Sequence, residues 1–266
     1  MSQDRTPHDE LWFRRYRQVQ APVARLVCLP HAGGAAPFFR PVPFVLSTPA
    51  DVVAVQYPGR QDRRSEPPVT DLRTLAARVH EVLEAQQPDL PLVLFGHSMG
   101  AVVAFEVARL CEARGARPAR LVVSGRRGPA VEVTKEAVHL RSDEEIIEEI
   151  RRLNGSSAAV LDDPDLTRAA LPSLRADYQA IETYRATARD VVGCPVTALT
   201  GDDDPKTSVA QAQEWRHHTT DVFDLEVFPG GHFYLIDQMQ QVVGVLDRHL
   251  AEAAARTGPG MRSAVR

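Results

Sequence analysis

The five residues Gly96-His97-Ser98-Met99-Gly100 restrict what this chain can fold into, because of the segments on either side of them. The apolar run Leu92–Phe95 is suited to a buried strand, and residues 101–110 have the composition of a buried helix that ends near Gly115. A Gly-x-Ser-x-Gly sequence between a strand and a helix predicts a nucleophile elbow, which is a strained turn. The two glycines have no side chains, so neighbouring backbone can pack closely against the turn. Ser98 is therefore the candidate nucleophile, and the free amides at the start of the helix suit a developing oxyanion.

Length and composition are those of an ordinary globular α/β protein. The chain has 266 residues, with 44% hydrophobic and 25% charged residues, and its net charge of −4 gives no general reason to expect nucleic-acid binding. The first residues lack the apolar core of a signal peptide, and no uninterrupted apolar stretch is long enough to span a membrane. We therefore expect a cytoplasmic monomer that binds neither nucleic acid nor membrane. The three cysteines lie in apolar segments and are expected to be small buried side chains rather than disulfides or metal ligands.

Strand-like and helix-like segments alternate along most of the chain. Six short apolar segments predict strands: Arg25–Leu29, Val52–Val55, Leu92–Phe95, Leu121–Ser124, Val196–Leu199 and Phe223–Val227. Four longer segments predict helices: Val69–Gln86, Met99–Arg114, Ser208–His217 and Gln238–Ala255. Nearly continuous apolar character is typical of parallel strands covered on both faces. The alternation therefore predicts an α/β fold with a mostly parallel, doubly wound sheet.

Residues from about 130 to 192 interrupt this alternation, because they have helical patterning and no strand. Ser142–Glu145 resembles a capping box that begins one helix, and a second begins at Asp163-Pro164, with a kink or break expected at Pro172. Over the carboxyl ends of the strands, such an insertion would form a lid above Ser98. We expect a single domain over residues 1–266 that contains this insertion, with a disordered tail at residues 257–266.

A serine nucleophile needs a base, and the base needs an acid to orient it. In an α/β-hydrolase these follow the serine in the order acid, then histidine. His232 lies in a glycine-rich turn directly after the last predicted strand, so it is the candidate base. His217, His218 and His249 fall on polar helix faces and are expected to be solvated, whereas His97 is expected to pack beneath the elbow.

The candidate acid lies in the loop after the predicted strand Val196–Leu199. Three successive aspartates repel one another, so only one is expected to be buried against the histidine. Pro205 fixes the turn behind Asp204, whereas Asp202 and Asp203 fit a loop tip. The loop after the preceding strand carries no carboxylate, which also favours Asp204.

Two backbone amides are expected to form an oxyanion hole. The amide of Met99, directly after the serine, is one candidate. The other should come from the loop Pro30–Ala35, whose small residues permit close approach of the backbone. Ala32 is the first choice for the second donor, and Gly33 is the next.

Several separated blocks along the chain carry a common family pattern. They are Leu11–Arg15, Leu26–Gly34, Gln56–Arg64, Phe95–Gly100, Ser124–Arg127, Gly201–Lys206 with Glu214-Trp215, and Gly230–Tyr234. Together they resemble, in family order and over nearly the whole chain, the type II thioesterases, the stand-alone editing enzymes of polyketide and nonribosomal peptide synthesis. The resemblance implies hydrolysis of aberrant or stalled acyl groups held as thioesters on the phosphopantetheine arm of an acyl or peptidyl carrier protein.

The resemblance also implies an α/β-hydrolase fold with a flexible helical lid. It assigns the nucleophile, acid and base to Ser98, Asp204 and His232, and the oxyanion donors to Met99 and Ala32. Leucine also occurs in the family at the position of Met99, but only the backbone amide matters there. Neither a metal nor a cofactor is implied, since the phosphopantetheine belongs to the carrier protein.

Carrier domains are generally acidic, so docking on this slightly acidic chain would need a local basic patch. Five arginines are candidates for that patch: Arg60, Arg63, Arg64, Arg126 and Arg127.

Other functions stay open at this point. One is a general carboxylesterase, lipase or acyl-CoA thioesterase of the same fold. A malonyl-type acyltransferase also carries Gly-His-Ser-x-Gly, but glutamate typically follows, where this chain has Ala101. The last is an inactive hydrolase-like binding protein.

Overall fold

A computed structural model describes residues 7–86, 90–132, 137–154 and 163–257 of the chain. The strands in these ranges are β1 (Phe13–Arg14), β2 (Ala24–Leu29), β3 (Ala50–Val55), β4 (Leu92–His97), β5 (Arg120–Ser124), β6 (Val196–Gly201) and β7 (Phe223–Phe228). The helices are α1 (Pro7–Trp12), α2 (Val42–Val45), α3 (Leu72–Ala85), α4 (Met99–Ala113), α5 (Asp143–Asn154), α6 (Pro164–Thr183), α7 (Val209–Gln213), α8 (Tyr234–Asp237) and α9 (Met239–Thr257). Short 3₁₀ helices lie at Ala36–Phe39, Gln61–Arg63, Val138–Leu140 and Glu214–His218.

The strands form one sheet in the order β1-β3-β2-β4-β5-β6-β7. All pairs are parallel except β1 with β3, which is antiparallel. The six predicted strands are confirmed, and only the two-residue β1, too short to show a period, was not predicted. Because the strands are parallel, the loops after β2, β4, β5, β6 and β7 all emerge at the same edge of the sheet.

Helices cover both faces of the sheet. Alternate residues of β2 belong to different cores: Val27 and Leu29 lie in the cluster that includes α3 and α4, whereas Leu26 and Cys28 lie in the cluster that includes α9. The near-continuous apolar character of the strands therefore has the predicted cause, burial on two faces. The expectation of a doubly wound α/β sheet is confirmed.

The structure refines two of the helices expected from the sequence patterns. The predicted helix Ser208–His217 is divided, because α7 ends at Gln213 and a 3₁₀ helix follows. Helix α6 is continuous through Pro172, so of the kink or break expected there the break does not occur. Residues around the proline are anchored in a small core of their own, formed by Val138, Ile146, Leu171, Leu174 and Tyr178. This packing supports the helix where a backbone hydrogen bond is lost.

Helices α5 and α6 lie between β5 and β6, in the stretch predicted as an insertion. We call residues 137–154 and 163–186 the helical insertion. Residues 133–136 and 155–162, within the predicted insertion boundaries, and residues 258–266 of the predicted tail lie outside the described residues. The cysteines Cys28, Cys111 and Cys194 are buried and free, as expected. Among the described helices, none combines the length and apolar character that crossing a membrane requires.

The packing of Gly100 generates a prediction about stability. Gly100 and Gly244 both lie in helices, so alanine at either position gains helix propensity of about 1 kcal/mol. A Cβ on Gly100 would lie 2.1 Å from the carbonyl oxygen of Leu29, whereas a Cβ on Gly244 meets nothing within 4 Å. We expect Gly100→Ala to lower the free energy of unfolding by about 3 kcal/mol through overpacking. Gly244→Ala, the matched control, should raise it, and equal effects in urea titrations would contradict the packing.

Candidate active site

Ser98 occupies a strained turn between β4 and α4. Its backbone has φ +55° and ψ −115°, a conformation that a residue with a side chain rarely adopts. The Ser98 amide donates a 2.7 Å hydrogen bond to the carbonyl oxygen of Ser124 at the end of β5, which fixes the turn against the neighbouring strand. A Cβ on Gly96 would lie 2.0 Å from the carbonyl oxygen of Gly100, so a side chain there would collide with backbone. The geometry is that of the predicted nucleophile elbow.

The structure brings together the three residues predicted to act on the substrate. The Ser98 hydroxyl lies 3.0 Å from Nε2 of His232, and Nδ1 of His232 lies 2.9 Å from Oδ2 of Asp204. The Asp204 side chain is fully buried, and its other oxygen accepts a 2.8 Å hydrogen bond from the Lys206 amide. A buried carboxylate in this position favours the His232 tautomer that has a proton on Nδ1, which leaves Nε2 free to accept the serine proton.

The neighbouring aspartates take the places expected for a loop tip. Asp202 and Asp203 are both exposed. Oδ1 of Asp202 accepts a 2.9 Å hydrogen bond from the amide of Gly230, in the turn that precedes His232. The Asp202 side chain thus braces the histidine loop, whereas Asp204 contacts the histidine itself.

The residues that carry the predicted oxyanion amides, Met99 and Ala32, line the same cavity as Ser98. Met99 is the first residue of α4, where an amide has no partner within the helix. In the loop after β2, the Gly33 amide donates to Oδ2 of Asp177 at 2.7 Å, and the Gly34 amide donates to the His31 carbonyl at 2.9 Å. The Ala32 amide donates to no protein group in the described part of the chain, so of the two candidates Ala32 is the one left available.

A cavity of about 350 Å³ lies over these groups. Ala32, Ser98, Met99 and His232 line it from the sheet edge, and residues of the helical insertion, among them Tyr178, Ile181 and Tyr184, line it as well. A cavity of this size and mixed lining is typical of a small-molecule site. Arg126, Arg127 and Lys206 supply charged groups to its wall.

His97 packs beneath the elbow, as expected, and forms part of a buried network that was not predicted. Its Nδ1 lies 2.9 Å from the hydroxyl of Ser124, which lies 2.7 Å from the hydroxyl of Tyr234. The His97 ring centroid is 5.1 Å from that of His232. Burial, reinforced by the neighbouring His232 and His31, holds the pKa of His97 well below its usual value. His97 is therefore neutral support for His232.

Two histidines predicted to be solvated are buried instead. His218 donates from Nδ1 to the Asp190 carbonyl at 2.7 Å and packs against Trp215 and Phe105. His249 lies on the buried side of α9, with Nε2 3.1 Å from the hydroxyl of Thr197. The prediction was wrong for both, because each ring finds a polar partner inside the protein. His217 is exposed, as expected.

Two arginines predicted to form a docking patch are also buried. Arg60 makes a two-point ion pair with Asp177, and Arg63 pairs with Glu66 and stacks over the Trp12 ring. Their charges are used inside the protein, so they were wrongly assigned to a docking surface. A docking role for Arg64, Arg126 and Arg127 stays a prediction.

The helical insertion contacts the catalytic loops through charged residues that sequence analysis missed. Glu149 on α5 pairs with Lys206, two residues beyond Asp204, and Asp177 on α6 binds the oxyanion loop. Burial would raise the pKa of Glu149, but hydrogen bonds from Arg152 and Lys206 lower it to about 2. Each carboxylate lies among the apolar residues of an amphipathic helix. The position of Asp177 on the apolar face of α6 is the sequence signal that could have indicated a buried polar contact.

Comparison with known proteins fits this geometry. The family model described as "Thioesterase domain" matches residues 24–250. This chain belongs to the thioesterase family. It is 51% identical over 231 residues, 87% of its length, to the "Probable cadicidin biosynthesis thioesterase" of Streptomyces griseus, and the match spans only 63% of that relative. It is 45% identical over 241 residues, 90% of its length, to "Thioesterase PikA5" of Streptomyces venezuelae, and the match spans 85% of that protein.

Among solved structures, the type II thioesterase BorB from the borrelidin biosynthetic cluster superposes with a TM-score of 0.86 at 46% sequence identity. The superposition covers 92% of this chain and 100% of the BorB chain. This chain therefore has the α/β-hydrolase fold, and the family to which it belongs consists of thioester hydrolases. The predicted fold and the predicted resemblance are thereby confirmed.

The buried state of His97 generates a prediction about pH. An unfolded histidine takes up a proton below its pKa of about 6.5, whereas folded His97 stays neutral. The unfolded state therefore binds more protons as pH falls, and His97 should cost about 2 kcal/mol of stability between pH 7 and pH 5. His97→Gln should make the loss of unfolding free energy over this interval smaller by that amount in urea titrations. The exposed His217→Gln is the control, and an unchanged slope for His97→Gln would contradict the assignment.

Proposed function

We propose that this thioesterase is a type II editing enzyme that hydrolyses aberrant or stalled acyl groups from the phosphopantetheine thioester of carrier proteins in polyketide or nonribosomal peptide synthesis. The observation that carries the proposal is the unbroken hydrogen-bond path from Ser98 through His232 to buried Asp204 at the wall of a cavity. The similarity to type II thioesterases of biosynthetic clusters supports the choice of substrate.

In the proposed first step, the oxygen of Ser98 attacks the thioester carbonyl carbon. The Ser98 proton moves to Nε2 of His232, and Asp204 stabilises the imidazolium that forms. The carbonyl oxygen becomes an oxyanion that accepts hydrogen bonds from the amides of Met99 and Ala32. Donors fixed in advance stabilise this charge without reorganisation at the moment of reaction.

Collapse of the tetrahedral intermediate breaks the carbon–sulfur bond and leaves an acyl ester on Ser98. His232 returns its proton to the departing thiolate of the phosphopantetheine arm. Water then attacks the ester carbonyl while His232 takes one of its protons. Collapse of the second tetrahedral intermediate breaks the bond to the Ser98 oxygen, which takes that proton from His232 as the free acid leaves. Every proton moves through His232, so the mechanism needs only protein groups and water.

We propose that the helical insertion acts as the lid of this site. Tyr178, Ile181 and Tyr184 place ring and aliphatic surface in the cavity wall, where an acyl chain can be shielded from water. We further propose that Arg126 and Arg127, which line the same cavity, attract the acidic carrier domain.

A panel of acyl groups loaded on carrier protein tests the proposed function. Wild-type enzyme should release acids from the carrier, and Ser98→Ala should lower the rate by about 10⁴-fold or more, because the nucleophile is lost. Oxygen esters with the same acyl groups are the comparison. Faster hydrolysis of the oxygen esters would favour a carboxylesterase, and no release from any substrate would favour an inactive binding protein.

The acid loop offers a matched pair of variants. Asp204→Asn leaves the loop's shape but should lower kcat by about 10⁴-fold, because an amide fails to hold the required tautomer and to stabilise the imidazolium. Asp203→Asn makes the same chemical change at an exposed neighbour and should leave kcat unchanged. Steady-state assays with a soluble thioester measure both. Similar rates for the two variants would remove Asp204 from the mechanism.

A further inference from the structure

One buried carboxylate joins the helical insertion to the loop that carries the second oxyanion donor. Asp177 on α6 accepts three hydrogen bonds: from the Gly33 amide at 2.7 Å, and from Nη1 and Nη2 of Arg60 at 2.6 and 2.9 Å. The side chains of Asp177 and Arg60 are 1% and 6% exposed. Three segments distant in sequence therefore meet at a single carboxylate that water does not screen.

Arg60 extends the same network to the far side of the oxyanion loop. Its Nη1 donates to the carbonyl oxygen of Gly34 at 3.2 Å, and its remaining donors reach the carbonyl oxygen of Pro58. The loop is thus held at the Gly33 amide by the carboxylate and at the Gly34 carbonyl by the guanidinium. The carboxylate and the guanidinium therefore each form a hydrogen bond to the loop backbone in addition to their bonds to each other.

Packing reinforces the contact. Gly33 has φ +74°, and a Cβ there would lie 2.3 Å from Cδ2 of Leu174, so helix α6 lies directly against the glycine. Leu174, Asp177, Tyr178 and Ile181 recur at intervals of three and four residues, the spacing of one helix face. The same face of α6 therefore contacts the oxyanion loop and lines the cavity.

The geometry points to Asp177, supported by Arg60, as a positioning residue for the oxyanion hole, an inference that rests on the proposed role of Ala32. The Gly33 N–H shares one planar peptide with the Ala32 carbonyl. Holding that peptide anchors the plane on the carboxyl side of Ala32, and only the φ and ψ torsions of Ala32 separate this plane from the Ala32 amide, the proposed donor. Helix α6 consequently completes the oxyanion hole when it lies on the loop, and it cannot lift away without releasing Gly33.

A purely structural ion pair would have a different signature. Its loss would lower the fraction of folded protein but leave the turnover of each folded molecule unchanged. Loss of a positioning residue lowers turnover per active site and weakens binding of a ligand that forms an oxyanion, with little change in KM.

The test compares Asp177→Asn with wild type on a small soluble acyl thioester. Reaction of Ser98 with a fluorophosphonate, taken to its end point, counts the competent sites. An acyl trifluoromethyl ketone, which adds to serine as an oxyanion adduct, reports on the hole. We expect kcat per site to fall about 30-fold, because the donor is displaced rather than removed, with KM within about twofold and the inhibitor constant weakened about as much as kcat.

Asp51→Asn is the matched control. Asp51 also binds two arginines, Arg15 and Arg25. It lies near the amino end of β3, whereas the site lies at the carboxyl ends of the parallel strands. The Asp51→Asn variant should leave kcat per site at the wild-type value and change only the number of competent sites, if anything. If Asp177→Asn yields no titratable serine, Arg60→Lys decides, since lysine keeps the charge but loses the two-point geometry. That variant should lose roughly three- to tenfold in kcat per site.

Wild-type kcat per site and wild-type inhibitor affinity in Asp177→Asn, or in Arg60→Lys where that variant decides, would overturn the inference. Failure of the proposed function looks different, because wild-type enzyme would then leave carrier-bound acyl groups intact. The trifluoromethyl ketone would still report on Asp177 in that case, since its adduct needs Ser98 and the oxyanion hole but no carrier protein.

Discussion

The close approach of Gly100 to the end of β2 is the contact on which the rest of the site depends. Without a side chain at Gly100, the first turn of α4 rests against the carbonyl oxygens of Leu29 and Pro30. This contact places the helix start, with its free amide at Met99, beside the loop that carries Ala32. The same turn holds Ser98 at positive φ, so one backbone packing arrangement positions the proposed nucleophile and both proposed oxyanion donors.

Buried charges then tie the surrounding loops to this centre. Asp204 orients His232 from the loop after β6, and Lys206 in the same loop pairs with Glu149 of the helical insertion. Asp177 binds the oxyanion loop from the other helix of the insertion. Buried ion pairs add little net stability over apolar packing, but they fix geometry, and here they fix the loops that carry the reacting groups. Both helices of the insertion therefore contact loops of the candidate site through buried carboxylates.

Features that a local pattern decides could be predicted from the sequence. Ser98, Asp204 and His232 each follow an apolar strand, and the carboxyl ends of parallel strands share one edge, so their meeting could be predicted without knowledge of packing. The helical insertion was likewise visible as helical patterning without strands. Each of these inferences needs only periodicity and chain order.

The missed features depend on contacts between distant segments. Arg60 and Arg63 were expected on a surface patch, and only the structure shows that both are buried and that each pairs with a carboxylate, Asp177 or Glu66. His218 and His249 were misjudged in the same way, because the Asp190 carbonyl and the Thr197 hydroxyl that they contact come from distant segments. The contact from Gly33 to Asp177 joins residues 144 positions apart. The one sequence feature that indicates this contact is the position of Asp177 among the apolar residues of one face of α6.

Detection of the covalent intermediate is the most direct test that Ser98 is the nucleophile of a carrier-protein thioesterase. Enzyme mixed with acyl-loaded carrier protein is quenched in acid within milliseconds, digested, and analysed by mass spectrometry. We expect the peptide containing Ser98 to carry the mass of the acyl group and this species to disappear as the free acid accumulates. Acylation of a different residue, or release of the acid with no acylated peptide at any time, would contradict it.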